Sequence, residues 1–177
     1  MENSRTSSDR ASSGQTSSGQ ISPGQISAPC IDLPSLIISS SPEETFALGE
    51  SLAPLLKEGS VIALKGPLGA GKTCFAKGIA KGLGIEEELT SPSYTIISEY
   101  ECLVAGEKIL VYHIDAYRLR GDDDFSAIGG EEIVFGNGIS VIEWSERIPN
   151  FIAPKAYKID FEILEDNERR VRLSKEG

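Results

Sequence analysis

The sequence of 177 residues contains no long hydrophobic segment. No run approaches the roughly 18 apolar residues that a membrane-spanning helix needs. The N-terminus also lacks the basic segment followed by an apolar one that marks a secretory signal. These two absences argue against a membrane partner and predict a soluble, cytoplasmic protein.

Cysteine is scarce, and its spacing indicates neither of the structural uses that cysteines often have. Cys30, Cys74 and Cys102 are an odd number without a close pair. This pattern suits neither a disulfide framework nor a zinc knuckle. We expect reduced thiols that serve as small apolar side chains.

Basic residues are outnumbered, which limits how the protein can meet nucleic acid. The chain has 17 lysines and arginines against 27 aspartates and glutamates, a formal net charge of -10. A chain this acidic repels a phosphate backbone unless it has a local basic patch, and no such patch is apparent. Any contact with RNA is therefore expected to go through a partner protein.

Large apolar side chains are nearly missing from the first 34 residues, in which Ser, Gly, Gln and Pro dominate. Such a segment buries too little surface to offset the entropy of ordering it. The whole chain is 40% hydrophobic, which is enough for one core but short for two full domains. We predict a disordered tail over residues 1–34 and one domain over residues 35–177.

The hydrophobic pattern of that domain predicts an α/β fold. Residues 61–64 form a continuous apolar run, typical of a strand that is covered on both faces in a mainly parallel sheet. Alternating segments further along predict two antiparallel hairpins, the second at an edge of the sheet. We expect a single P-loop NTPase domain with a mixed but mainly parallel sheet flanked by helices; its later strands are predicted at 94–102, 108–115, 139–143, 157–163 and 170–173.

Two long helices are expected beside this sheet. The first runs from about 42 to 57, starts at the capping residue Ser41 and contains Pro54, which should weaken its last turn. The second follows a Gly-rich stretch and contains Gly78 and Gly82. Because glycine lowers helix propensity, these two residues suggest that the helix packs closely on the sheet.

The Gly-rich stretch, residues 66–73, reads Gly-Pro-Leu-Gly-Ala-Gly-Lys-Thr and lies between a predicted strand and a predicted helix. Backbone N–H groups can converge on a triphosphate only where glycine permits close approach and positive φ angles. Lys72 would then reach the β- and γ-phosphates, and the Thr73 hydroxyl would bind Mg²⁺. The segment predicts a P-loop that binds a nucleoside triphosphate.

Two carboxylates end further apolar strands. A P-loop needs a carboxylate at the tip of a neighbouring strand to hold the metal, and Asp115 suits this role. The alternative is that it caps the turn to Tyr117. Glu143 ends a strand at the edge where open α/β sheets bind ligands, so it is a candidate for polarising the attacking water. Otherwise it pairs with Arg147 or Lys155.

The single histidine and the single tryptophan lie close to these carboxylates in the sequence. We interpret His113 as a hydrogen-bonded core group and not as an acid–base catalyst. Trp144 is more typical of packing than of base stacking. The segment Thr90–Thr95 is either a nucleotide-sensing loop with free hydroxyls or a plain structured turn.

Four motifs together resemble one family. The segments Gly66–Thr73, Ser91–Tyr94, His113–Leu119 and Ile142–Ile148 are similar, in order and spacing, to the TsaE (YjeE) family. That family comprises the small ATPases of bacterial threonylcarbamoyladenosine tRNA modification. The resemblance extends from about residue 35 to residue 173. It therefore covers nearly the whole predicted domain and leaves the N-terminal tail unmatched.

Two positions depart from the family pattern. The family usually has threonine where this chain has Ser93, and the hydroxyl is retained with a less restricted rotamer. Pro67 replaces the commoner acidic or polar residue and donates no N–H, although that position need not supply one. Neither change removes a group that the motif requires.

The resemblance implies an ATP-binding and weakly ATP-hydrolysing accessory protein that acts with TsaD and TsaB on adenosine 37 of tRNA. It implies that tRNA is met only through that complex, in agreement with the missing basic patch. It also implies Mg²⁺-dependent hydrolysis in which Lys72 and Glu143 are catalytic and Thr73, Asp115 and Glu143 surround the metal. The implied nucleotide contacts are Gly66, Leu68, Gly69, Ala70, Gly71, Lys72, Thr73, Cys74 and Trp144.

Other uses of a P-loop stay open. A small-molecule kinase normally adds an arginine-bearing lid, whereas arginines between Asp115 and Trp144 are limited to Arg118 and Arg120. A GTPase is disfavoured because no Asn-Lys-x-Asp sequence is present. A nucleotide-gated binding module, in which hydrolysis is incidental, is the third possibility.

Overall fold

The computed structural model describes residues 31–90, 92 and 95–176. Ser91, Ser93 and Tyr94 lie outside the described residues, so neither interpretation of Thr90–Thr95, a nucleotide-sensing loop or a plain turn, is tested. Residues 1–30 of the predicted tail also lie outside them. The described chain contains one seven-stranded sheet. Its strands are β1 (Ser35–Ser39), β2 (Val61–Lys65), β3 (Ile97–Val104), β4 (Glu107–Asp115), β5 (Ile139–Glu143), β6 (Tyr157–Ile163) and β7 (Arg169–Lys175).

The sheet is mixed, and its centre is parallel. Its strand order is β1-β7-β6-β2-β5-β4-β3. The pairs β6–β2, β2–β5 and β5–β4 are parallel, whereas the three outer pairs are antiparallel. This arrangement confirms the predicted fold class and brings the carboxyl ends of β2, β4 and β5 to one edge.

The prediction that the second hairpin lies at an edge of the sheet is wrong. That hairpin is β6–β7, and β1 pairs with β7 on its outer side, with Ile37 opposite Val171. Ile37 packs against the hydrophobic core, which explains why so short a strand is retained there. The sequence did not predict this strand, because the short apolar run at 36–38 contains no signal for a partner.

The helices are α1 (Pro42–Leu52), α2 (Lys72–Gly82), α3 (Asp122–Ala127) and α4 (Gly130–Val134). Ser41 caps α1 as predicted, since its hydroxyl accepts the N–H of Glu44 at 3.1 Å. The helix ends at Leu52 and continues as a 3₁₀ turn over Ala53–Leu55, which includes Pro54. A proline that cannot donate a backbone hydrogen bond accounts for the shortened helix.

The glycines of α2 pack against α1, which corrects the prediction that they face the sheet. A Cβ atom on Gly78 would lie 2.0 Å from the carbonyl oxygen of Phe46, and one on Gly82 would lie 2.5 Å from the Cβ of Ala53. A Cβ atom on Gly49 of α1 would likewise lie 2.1 Å from the carbonyl oxygen of Phe75 in α2. The two helices therefore meet backbone to backbone, and no larger residue fits at these positions.

Hydrophobic cores lie on both faces of the sheet. Leu52, Ile62, Phe75 and Ile79 belong to the core beneath α1 and α2. The core beneath α3 and α4 includes Ile114, Phe125, Ile142 and Ile148, and all eight of these side chains are fully buried. No helix in the described part of the chain is long and apolar enough to span a bilayer.

The chain packs onto the first core before residue 35. Ile31 is 9% exposed within that core, and Leu33 packs against it. Both residues precede β1. The predicted tail of residues 1–34 therefore overlaps the packed domain by a few residues at its end.

Candidate nucleotide-binding site

The P-loop follows β2 directly and leads into α2. Gly66, Gly69 and Gly71 have φ values of 144°, 76° and 101°, which side chains with a Cβ rarely adopt. A Cβ on Gly66 would also lie 2.6 Å from the carbonyl oxygen of Phe161. Since α2 begins at Lys72, its unpaired N–H groups and the positive end of its dipole face the loop. This geometry is that of an anion-binding site.

Lys72 is a nearly buried cation at the centre of the loop. Its Nζ donates to the carbonyl oxygens of Gly66 at 2.8 Å and Pro67 at 2.9 Å. The same Nζ lies 3.8 Å from the centroid of the Trp144 ring. Two carbonyls and one aromatic face thus provide for the three N–H donors of the ammonium.

The electrostatic environment of Lys72 has two opposed contributions. Burial lowers the pKa of its ammonium, and the negative charges of Glu143, Glu146 and Asp115 act in the opposite direction. Removal of water weakens the preference for the charged form, while it strengthens any electrostatic contact that the ammonium makes. A phosphate that approaches Lys72 therefore meets a poorly hydrated cation.

The two predicted carboxylates are neighbours across the sheet. Asp115 of β4 and Glu143 of β5 are register partners at the carboxyl ends of two parallel strands. Oδ1 of Asp115 accepts the N–H of Tyr117 at 3.0 Å, so this residue does cap the turn that follows β4. Its side chain also lines the cleft beside the P-loop. Capping the turn therefore does not keep Asp115 away from the cleft, so the two roles that the sequence suggested for it are compatible.

Glu143 is held by contacts that its sequence context did not suggest. Its Oε2 accepts the hydroxyl of Thr73 at 2.8 Å, and its Oε1 lies 2.9 Å from Nε2 of His113. The side chains of Glu143 and His113 are both buried. Arg147, one of the predicted partners, instead donates to the carbonyl oxygen of Leu119. Thr73 and His113 therefore replace the predicted ion pair.

Trp144 follows Glu143 in a left-handed backbone conformation with φ 58°. Few non-glycine residues adopt this conformation, and it occurs where surrounding contacts impose it. One such contact is Lys72, and a second is Tyr117, whose ring centroid lies 4.9 Å away. Arg147 lies over the Tyr117 ring at 5.3 Å. The tryptophan thereby connects the end of β5 to the P-loop cation.

All but one of the predicted site residues line a single cleft of about 430 Å³. Gly66 is the exception. Its carbonyl oxygen accepts a hydrogen bond from Nζ of Lys72. Tyr117 and Arg118 also line the cleft, although they were absent from the predicted site. Their signal was their position two and three residues after Asp115, on the turn that leaves the same edge. The lining residues are Leu68, Gly69, Ala70, Gly71, Lys72, Thr73, Cys74, Asp115, Tyr117, Arg118, Glu143 and Trp144.

The donor set of the cleft fits Mg²⁺. Within the described residues no group of three or more His, Cys, Asp or Glu side chains forms a metal cage. Mg²⁺ does not require one, because it takes one or two protein ligands together with phosphate and water oxygens. The Thr73 hydroxyl donates its hydrogen to Glu143, so the oxygen lone pairs stay available to a cation. Asp115 adds a carboxylate on the same side.

Comparison with known proteins gives consistent matches. A family model described as "Threonylcarbamoyl adenosine biosynthesis protein TsaE" matches residues 39–172. The tRNA threonylcarbamoyladenosine biosynthesis protein TsaE of Treponema pallidum (strain Nichols) is 42% identical over 137 residues, which cover 77% of this chain and 98% of the relative. The protein of the same name from Aquifex aeolicus (strain VF5) is 40% identical over 139 residues, covering 77% and 93%.

The fold has a solved counterpart. The crystal structure of Bacillus subtilis YdiB superposes with a TM-score of 0.64 at 33% sequence identity, covering 83% of this chain and 90% of that chain. Together with the family model and the two TsaE relatives, this match shows that the chain belongs to the TsaE family of threonylcarbamoyladenosine biosynthesis proteins.

Proposed function

We propose that the protein binds ATP with Mg²⁺ and hydrolyses it slowly, as an accessory protein of tRNA threonylcarbamoyladenosine synthesis in the cytoplasm. The observation that carries this proposal is the convergence of Lys72, Thr73 and Glu143 in one cleft at the N-terminus of α2. These groups supply a cation, a metal-binding hydroxyl and a buried carboxylate. Phosphoryl transfer to water needs these elements and little covalent chemistry.

The backbone of the loop and Lys72 hold the phosphates. The N–H groups at the start of α2 point into the cleft, and the ammonium of Lys72 exchanges its carbonyl partners on Gly66 and Pro67 for phosphate oxygens. A charged partner is a stronger acceptor than a carbonyl, so this exchange is favourable. The site thereby neutralises charge on the β- and γ-phosphates.

Thr73 and Asp115 would hold the metal, with Glu143 beside them. Mg²⁺ bound there supplies charge neutralisation at the transferred phosphoryl group. Glu143 orients the attacking water through whichever carboxylate oxygen faces the phosphates. Its burial keeps this carboxylate in one place, so little reorganisation accompanies the reaction.

The partners that we propose are TsaD and TsaB. Support comes from the names of the relatives, which assign them to threonylcarbamoyladenosine biosynthesis on tRNA. The formal net charge of -10 makes direct tRNA binding unfavourable. The chain is therefore proposed to reach tRNA only through the complex.

A nucleotide-gated binding module is the second candidate, and one observation favours it. The strained backbone at Trp144 is tied to Lys72, the residue that ATP would engage. Movement of Lys72 would shift the Trp144 ring that it contacts, and with it the backbone that follows Trp144. In this version ATP occupancy, and not hydrolysis, controls partner binding.

Reconstituted tRNA modification separates the candidates. Purified TsaD, TsaB and tRNA would be supplied with a threonylcarbamoyl donor and with the wild type, Lys72→Ala or Glu143→Ala, while phosphate release from ATP and GTP is measured in parallel. We expect ATP-dependent release by the wild type and repeated modification only with that protein. Full modification by a Glu143→Ala protein that binds but does not hydrolyse ATP would favour the module. Transfer of phosphate to a small acceptor would instead indicate a kinase.

A further inference from the structure

His113 is a buried polar side chain that the mechanism above does not use. It is 0% exposed, and its Nε2 lies 2.9 Å from Oε1 of Glu143. The other ring nitrogen, Nδ1, has no hydrogen-bond partner among the residues that the structure describes. Buried polar atoms without a partner are uncommon because they cost free energy. This histidine therefore needs an explanation other than stability.

The pattern along β4 makes the same point. The preceding residues that face α2 are Ile109 and Val111, and the residue beside His113 on β5 is Val141. All three are buried and apolar. An apolar side chain at position 113 would extend this surface and remove the unpaired Nδ1, but it would leave Oε1 of Glu143 without its partner. What the imidazole provides and an apolar residue does not is a hydrogen bond to Glu143.

The unpaired nitrogen indicates where the ring carries its hydrogen. A hydrogen on Nδ1 would be a buried donor without an acceptor in the described structure. With the hydrogen on Nε2, the ring donates to Oε1 of Glu143, and Nδ1 is left as an acceptor only. A hydrogen on Nε2 therefore satisfies the carboxylate and leaves one acceptor, Nδ1, unused.

Both oxygens of Glu143 are thus held, but by different parts of the fold. Thr73 donates to Oε2 from the start of α2, within the predicted metal and phosphate site. His113 donates to Oε1 from β4, whose backbone pairs with β3 on one side and β5 on the other. The contact from His113 therefore comes from outside the P-loop.

We propose that His113 is a positioning residue for Glu143, which fixes Oε1 so that Oε2 stays directed at Thr73 and the bound phosphates. It touches neither the nucleotide nor the metal. Its effect on rate rests on the ATP hydrolysis proposed above, whereas its effect on the position of Glu143 does not. The loss of such a supporting hydrogen bond typically costs about 10-fold to 100-fold in activity.

Two substitutions at this position separate hydrogen bonding from packing. His113→Leu fills the site without a donor, and His113→Gln offers an amide N–H at nearly the position of Nε2. Ile114→Val is the matched control, because Ile114 is equally buried but belongs to the core on the opposite face of the sheet. ATP affinity would be followed by the fluorescence of Trp144, the only tryptophan in the chain.

We expect His113→Leu to lower kcat for phosphate release about 10-fold or more, with ATP affinity within about threefold of the wild type. His113→Gln should recover most of the rate, and Ile114→Val should keep it. In a Glu143→Ala background the His113→Leu change should have no further effect on kcat. Equal kcat values for the wild type and His113→Leu would overturn the proposal, as would a loss that persists without Glu143.

A crystal structure of the His113→Leu protein keeps this proposal distinct from the ATPase proposal. If the wild type releases no phosphate, the proposed function fails, but the position of Glu143 can still be measured. A Glu143 carboxylate that has turned away from Thr73 would support positioning by His113. A carboxylate that still accepts the Thr73 hydroxyl at about 2.8 Å, as in the wild type, would refute it.

Discussion

The N-terminal end of α2 contributes to the nucleotide-binding cleft, whereas its later turns pack against α1. At its N-terminus, Gly71, Lys72 and Thr73 form the wall of the cleft, where a positive φ and donor groups create a site for an anion. Further along, Gly78 and Gly82 remove side chains so that α1 can approach backbone to backbone. Glycine is common to both ends, but for different reasons: conformation in the loop and closeness in the helix.

The stability of the helix pair and the chemistry of the cleft should therefore respond to different substitutions. Lys72 and Glu143 are buried polar groups of the cleft, and their side chains are not among the nearest atoms at Gly49, Gly78 and Gly82, where the two helices meet. Gly78 lies in the helix contact and does not line the cleft. A substitution in the helix contact that also changes ATP hydrolysis, or one in the cleft that also changes stability, would show that the two properties are coupled through α2.

The largest expected effect is on stability, from Gly78→Ala. The new Cβ would lie 2.0 Å from the Phe46 carbonyl oxygen, so α1 and α2 must separate. We expect the free energy of unfolding to fall by about 3 kcal/mol. Urea denaturation would measure this. Gly121→Ala is the control, since a Cβ there meets no atom within 4 Å and should change stability by less than about 0.5 kcal/mol.

Glu143→Gln should affect the cleft alone. The amide keeps the volume of the side chain but lacks the negative charge with which the carboxylate polarises the attacking water, so kcat for phosphate release should fall about 100-fold. The free energy of unfolding should not decrease, because the substitution removes a buried carboxylate charge. Parallel measurements of kcat and of urea denaturation check both parts. A kcat near that of the wild type would remove Glu143 from the mechanism.

Thr73 provides a smaller and more specific test. Thr73→Val is isosteric but lacks the hydroxyl, whereas Thr73→Ser retains it. We expect Thr73→Val to raise the Mg²⁺ concentration needed for half-maximal rate about 10-fold, because one oxygen ligand is lost. Thr73→Ser should stay close to the wild type. Magnesium titrations of the hydrolysis rate compare the three proteins, and identical titrations would exclude Thr73 as a ligand.

The smallest expected effect is at the start of α1. Ser41→Ala removes the hydroxyl that accepts the N–H of Glu44, and should cost about 1 kcal/mol of stability. Hydrolysis should be unchanged under conditions where the protein stays folded, because Ser41 does not line the cleft. Thermal unfolding of Ser41→Ala beside Ser41→Asp tests the cap, since aspartate restores an acceptor and should restore most of the stability.

Much of the site could be predicted from local sequence because each part is encoded in one segment. The P-loop is a continuous motif, and Asp115 and Glu143 each end an apolar strand. Since the carboxyl ends of parallel strands meet at one edge, their proximity followed from the fold class. The register that makes Asp115 and Glu143 partners then confirmed this proximity.

The parts that were missed depend on contacts between segments that are distant in the sequence. Thr73 and Glu143 are 70 residues apart, and His113 and Glu143 are 30 residues apart. No local pattern encodes which side chain meets which across such distances. The glycines of α2 likewise indicated close packing, but the partner helix α1 could be identified only from the structure.

The most direct test of the proposed ATP hydrolysis is Mg²⁺-dependent phosphate release from ATP, measured for the wild type and for Lys72→Ala purified in parallel. We expect the wild type to release phosphate slowly and to stop when Mg²⁺ is chelated. We expect no release above background by Lys72→Ala, because the cation that the phosphates require is gone. Equal release by the two proteins, or release that does not depend on Mg²⁺, would contradict the account.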